Sequence, residues 1–349
     1  MRLLLSFLIV LLITSCGKKE TLVVNRQIDK VTIETILEDS ILSIRAIDIL
    51  NDNSLAFAAN NNSFGLYDPV NKSWNISKQE HDSLELSFRA VAHTNTDFFM
   101  LTIGNPALLF KTTDFGMQIA YQEAHENVFY DSIIFWNNQE GIAMGDPTED
   151  CISILVTRDG GKTWTKLSCD DLPKAEEGEA AFAASDTNIA IVGEHTWIAT
   201  GGNASRVLYS PDKGNTWEVY DTPIAQGTGT TGMYSIDFYD ALNGFAIGGD
   251  YTKPEDNSAN KIRTIDGGKT WELVGVNQEP GYRSCVQYMP NSEGKELVAI
   301  GFNGIDYSND AGSTWKHISD EGFYTIRFLN DSTAYAAGKG RISKLRFTE

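Results

Sequence analysis

Four segments of this 349-residue chain share one pattern, Ser/Thr-x-Asp-x-Gly-x-Thr-Trp: Thr157 to Trp164, Ser210 to Trp217, Thr264 to Trp271 and Ser308 to Trp315. A fifth segment, Thr112 to Ile119, keeps Asp114 and Gly116 but ends on Ile, and a sixth, Asp68 to Trp74, is further eroded. From Trp74 onward the last residue of each segment recurs after 45, 45, 53, 54 and 44 residues. That period suits stacked four-stranded sheets, each unable to bury its apolar face alone. Within a unit the strands are legible. Met233–Tyr239 alternates, Gly244–Gly248 is small and apolar, Lys261–Thr264 leads into the motif and Trp271–Val274 follows it. Counted from an axis outward these are strands a, b, c and d of a propeller blade.

The motif chemistry is structural. A tight c–d turn leaves backbone N–H groups without partners, and the Asp carboxylate accepts them. The Gly reaches positive φ, and the Trp supplies apolar surface. Asp114, Asp159, Asp212, Asp266 and Asp310, with Trp164, Trp217, Trp271 and Trp315, are therefore expected as scaffold. Each Asp belongs to a different blade, so they do not form a metal site, and no His/Cys/Asp spacing suggests another. Inner strands beginning near Ile44, Phe88, Asp131, Ala180, Tyr234, Tyr282 and Tyr324 predict an all-β, seven-bladed propeller. Six blades plus a cap is the alternative, because the first unit lacks a clean motif. The last unit runs out of chain after three strands, and Val31–Ile36 is expected to supply the fourth and close the ring.

Residues 1–15 read as a signal peptide: a charged start, an apolar stretch from Leu3 to Ile13, then Ile-Thr-Ser-Cys. The stretch is too short to span a bilayer, which takes ~20 residues. Cys16 is expected to be lipidated, residues 16–28 to form a tether and residues 29–349 a single propeller domain, exported and lipid-anchored to a bacterial cell envelope. Cys151 and Cys169 each lie nine residues from Gly160 in an expected hairpin. They either bond across it or miss by one residue of register and stay unpaired. The formal net charge of −19 argues against nucleic acid as a partner.

Blade order places d–a and b–c loops on one face, opposite the repeated turns. Arg45, Arg89 and Arg283 begin inner strands there, Glu179 precedes one, and Asp146, Glu194-His195 and Asp250-Tyr251 follow second strands. With Tyr282 these are the candidate ligand-binding residues, suited to an anionic group through bidentate arginine contacts. They are equally suited to pairing with one another around a channel. Glu179, Asp146 and Asp250 are the weak candidates for acid and base. Gly227–Gly232 matches GxGxxG, but a strand follows it rather than a helix, so it reads as a loop on this face.

The repeated motif is the Asp-box, or BNR repeat, familiar from sialidases. Phe88-Arg-Ala-Val, Gly141–Pro147, Gly178–Ser185, Gly248–Tyr251 and Gly281–Ser284 further resemble a family of exported bacterial propellers related to photosystem II stability/assembly factors. The resemblance implies a seven-bladed propeller and no established reaction, although members are often labelled oxidoreductase or sialidase-like. A true sialidase carries Arg-Ile-Pro and a Tyr/Glu nucleophile pair. Here Ala follows Arg45 and Arg89, and no such pair can be assigned. The expected role is a non-catalytic, monomeric binding or assembly lipoprotein without cofactor, holding an envelope protein or an anionic glycan in its mouth. A glycan hydrolase is the alternative, and redox chemistry rests on the label alone.

Overall fold

The computed structural model describes residues 26–349. The expected signal peptide and lipidation site, Cys16, lie outside them. Among the described residues regular structure is strand, apart from one 3-10 turn at Cys169–Asp171. The strands hydrogen-bond antiparallel into six sheets arranged as a β-propeller.

The expectation of seven blades is corrected to six, with blades counted as hydrogen-bonded sheets. The reason lies in two long strands. Lys30–Ile49 pairs along its first part with Thr348–Arg341 and along its second with Leu55–Ala59, and Thr333–Thr348 runs unbroken beside it. Sheet I is therefore a six-stranded unit of 325–328, 333–348, 30–49, 55–59, 63–68 and 73–78 in that order. The ends of the described chain are fused rather than abutted. Sheets II, III, IV and VI have four strands each, starting at Phe88, Tyr130, Ile189 and Cys285. Sheet V starts at Thr231 and takes on the two-residue strands 201–202 and 179–180 as extra edges.

At the repeated turns a Ser or Thr hydroxyl accepts the Gly N–H and donates to the Asp. In the first, Thr157 Oγ1 lies 2.9 Å from Gly161 N, while Asp159 accepts Thr163 N at 2.9 Å and Thr163 Oγ1 at 2.7 Å. Asp212, Asp266 and Asp310 repeat the arrangement. Burial disfavours these carboxylates, but the donors outweigh it and hold each below the usual range. Trp164, Trp217, Trp271 and Trp315 each pack where two successive sheets meet. The eroded turn at Asp114 is a tight hairpin closed by Thr113 and Gly116, without the Asp bonds. Cys151 and Cys169 form a disulfide with Cα atoms 5.5 Å apart, although Cys169 sits in the 3-10 turn and not at a strand end.

The fourth unit departs from the expected strand assignment. No inner strand begins near Ala180. The inner strand of sheet IV is Ile189–Val192, and Gly178–Thr187 instead crosses the axial channel. Ala181 N donates to Asp146, Arg89 donates to Ala183 O at 3.0 Å, and Arg45 donates to Ala184 O at 3.3 Å. Ser185 O accepts from Thr325, and Ser185 Oγ donates to Ser284 O. Asp186, at φ 57°, accepts Val91 N at 2.8 Å and Ile133 N at 3.1 Å, and Thr187 bonds Ser235. One segment thus ties itself to sheets I, II, III, V and VI before joining IV. It is a plug, held by polar bonds where the inner strands diverge too far to pair.

Candidate functional site

Inner strands run away from one face, the mouth, and the repeated turns form the opposite rim. Above the plug lies a cavity of about 570 Å3 whose walls include Arg45, Arg89, Asp146, Phe182, Tyr234, Tyr251, Tyr282, Phe302 and Tyr324. Its floor is the plug itself, Ala180 to Ala184.

Aromatic rings dominate the wall. Phe182 stacks on Tyr234 with centroids 3.9 Å apart, Tyr282 meets Tyr234 edge-on at 4.8 Å, and Phe302 lies tilted against Tyr282 at 5.4 Å. Tyr251 and Phe302 are 48% and 43% exposed and form the lip. Arg45 lies over the Tyr324 ring at 3.9 Å, a cation–π contact that fixes the guanidinium plane. Its Nε is buried without a partner.

The two arginines form no ion pair with a carboxylate; each spends one N–H on a plug carbonyl. Burial, with Arg45 nearby, lowers Arg89 to about 10, and Asp131 offsets only part of this. Asp131 is itself fully buried with both oxygens unpartnered, and desolvation raises its carboxyl well above the ordinary range. Neither of its oxygens bonds Arg89, so no hydrogen-bonded carboxylate caps that guanidinium. Asp146 is pushed up to about 6 by burial, against the pull of the Ala181 N–H.

Other candidates sit elsewhere. Arg283 is 4% exposed and ion-paired to Asp306 at 2.6 Å, beneath the wall and away from the opening. Glu179 is enclosed by Arg206 at 2.5 Å and Thr200 at 2.6 Å. Asp250 accepts both N–H and Oγ1 of Thr252. Glu194 and His195 belong to the first hairpin of sheet IV, where Glu194 O accepts Lys213 N from a repeated turn. They lie on the rim, because taking 189–192 as a second strand instead of a first inverts the unit. His195 stacks on Trp197 and bonds the Tyr209 hydroxyl at 2.7 Å. Gly229 of the GxGxxG loop does reach the cavity.

Phe129, Phe182, Phe302 and Tyr324 escaped sequence reasoning. The one available signal was Phe182 in a run of small residues, Ala180 to Ser185, that does not alternate as a strand should. An acidic cleft of about 750 Å3 adjoins the cavity, sharing Asp146 and Phe129 and carrying Glu126, Glu149, Asp150, Glu176 and Glu177. Among the described residues no three His, Cys, Asp or Glu side chains gather as a metal-binding set.

This geometry defines an all-β propeller with a plugged channel and one aromatic, arginine-bearing mouth. Solved propellers share the fold. The structure of YCF48 bound to D1 peptide matches with a TM-score of 0.65 at 15% identity, over 91% of this chain and 95% of that one. YCF48 from Cyanidioschyzon merolae matches at 0.64 and 14%, over 90% and 98%. The WD40 repeats of RRP9 match at 0.62 and 10%, over 92% and 99%. At such identities the likeness is one of fold alone. No family model and no curated protein sequence matches the chain.

Proposed function

We propose that this chain is a non-catalytic binding propeller of a bacterial cell envelope, lipid-anchored at Cys16, whose mouth captures an acidic segment of another protein. The observation that supports it best is the pairing of Arg45 and Arg89, free of carboxylate partners, with a wall of aromatic faces. Aromatic rings give contact area at small entropic cost, and arginines that are not ion-paired to a carboxylate keep N–H donors free for a ligand. The YCF48 neighbour with its bound D1 peptide supports a protein ligand on this fold.

An acid/base hydrolase is less well served. A glycosidase needs two working carboxyl groups, and Glu179 and Asp250 are both engaged by neighbours while Asp146 alone faces the cavity. An anionic glycan is the second reading, since sugars also stack on rings such as Tyr251 and Phe302.

The test is photocrosslinking in cells with benzoyl-phenylalanine at Tyr251 or Phe302. A discrete protein adduct that disappears with Arg45→Ala and Arg89→Ala is expected. An adduct unaffected by both changes, or formed equally from Phe115 on the opposite rim, would refute the mouth as the site.

A further inference from the structure

The apolar side chains most open to solvent are not at the mouth. Phe115 is 91% exposed and Val70 87%. Ile265 and Leu242 follow at 67% and 57%. Each tips a turn between adjacent strands: Phe115 in sheet II, Val70 in sheet I, Ile265 and Leu242 in sheet V. All four turns lie on the rim away from the mouth, in two places: the neighbouring sheets I and II, and sheet V, where Gly267 N donates to Leu242 O. Turn tips ordinarily carry Gly, Asn, Asp, Ser or Pro, and no packing explains these four. Ile41, 62% exposed, is the exception and stands on the mouth side.

The described chain enters on this same rim. Lys30 pairs with Thr348 at the end of the third strand of the closing unit, and Asp29 binds Lys316, just after a repeated turn. Arg26 is fixed there by Glu296 at 2.8 Å and by the Tyr307 hydroxyl. Cys16 precedes Arg26 by ten residues, which span at most ~35 Å when fully extended. An outer strand of about six residues is roughly 20 Å tall, so bringing the mouth to the anchor would use most of the tether in climbing the wall. Charge favours the same orientation. The mouth side carries the Glu126, Glu149 and Glu177 cleft, which anionic headgroups repel, whereas on the opposite rim exposed Lys72 and Lys269 offset Asp68 and Asp266 in the turns of Val70 and Ile265.

We infer that the rim opposite the mouth seats on the surface of an anionic bilayer, with Phe115, Val70 and Ile265 entering the headgroup layer and the mouth held away from the membrane. Exposed apolar turn tips, two of them with a lysine in the same turn, are the side-chain chemistry of such an interface. The inference rests on the proposed anchor at Cys16.

Full-length lipidated protein carrying Phe115→Cys, Val70→Cys or Tyr251→Cys, labelled with NBD, is reconstituted into phosphatidylethanolamine/phosphatidylglycerol vesicles with and without a spin-labelled lipid. Cys285 is buried and Cys151 and Cys169 are bonded, so the label goes to the new thiol. NBD emission at 115 and 70 is expected to rise at least twofold on reconstitution and to be quenched by the spin label, with 251 unchanged. Quenching at 251, or at none of the three, overturns the orientation while the anchor stands. Partition of the unlabelled chain into the aqueous phase of Triton X-114 overturns the anchor and the orientation with it. Because each label sits on an exposed side chain, retained unfolding midpoints verify that the variants are folded.

Discussion

Asp186 is the residue on which the closure of the channel turns, and Asp186→Asn isolates what it does. The carboxylate accepts one buried N–H from each of two sheets, Val91 at 2.8 Å and Ile133 at 3.1 Å. Asn retains one acceptor and turns an N–H2 towards the other donor. It also tolerates the left-handed backbone at φ 57°, so strain does not confuse the comparison. Leaving one buried N–H unpaired costs about 1–3 kcal/mol. Asp186→Ala removes both acceptors and adds a left-handed penalty of ~1–2 kcal/mol, so it should cost more than Asn does. Burial, opposed mainly by Arg327, raises the Asp186 carboxyl to about 7. At pH 5 the native group is therefore protonated, and its comparison with neutral Asn reports hydrogen bonding alone. Urea unfolding at pH 5 should rank wild type above Asn and Asn above Ala, with amide exchange accelerated at Val91 and Ile133. Equal stability of wild type and Asp186→Asn at pH 5, with both amides still protected, would refute the hub argument.

Three further outcomes are expected. A carboxyl whose folded pKa is raised above 3.8 contributes stability that is full below that value and lost as pH rises through the folded one; burial raises Asp237 as well as Asp186 to about 7. Stability should thus fall between pH 5 and pH 8, by up to ~3 kcal/mol per group, and Asp237→Asn should flatten the profile of melting temperature against pH. Replacing Cys151 and Cys169 by Ser removes a cross-link spanning 18 residues, which should cost ~3 kcal/mol by chain entropy and register as a lower urea midpoint. Asp159→Ala should cost ~1–3 kcal/mol because Thr163 N and Oγ1 lose their acceptor. Asp114→Ala, whose turn is closed by Thr113 instead, should stay within ~0.5 kcal/mol of wild type in the same assay.

The repeat made the propeller legible from sequence because its signals are local. A Ser/Thr-x-Asp-x-Gly-x-Thr-Trp turn satisfies its own backbone within eight residues, so Thr157–Trp164 specifies the same turn wherever it stands. The alternation of Met233–Phe238 likewise reports a strand without reference to any neighbour. Arg45, Arg89, Asp146, Tyr251 and Tyr282 could be placed at the mouth since strand order alone fixes which ends lie together.

Tertiary structure decided the remainder. Val31–Ile36 was legible as the closing strand, but not its continuation to Ile49, which fuses the first and last units, because Lys30–Ile49 and Thr333–Thr348 meet across some 300 residues and no local pattern encodes that length. Nothing local distinguishes Gly178–Thr187 as a plug from a short inner strand either. Its bonds to Val91, Ile133, Ser284 and Thr325 come from sheets distant in sequence. That one segment moved Glu194-His195 to the opposite rim and gave the mouth its floor. Arg283 began its strand as Arg45 and Arg89 do, yet Asp306, on the third strand of the same sheet, draws it inward. Local chemistry fixed the turns and strands; the site was set by which buried donor found which acceptor across the axis.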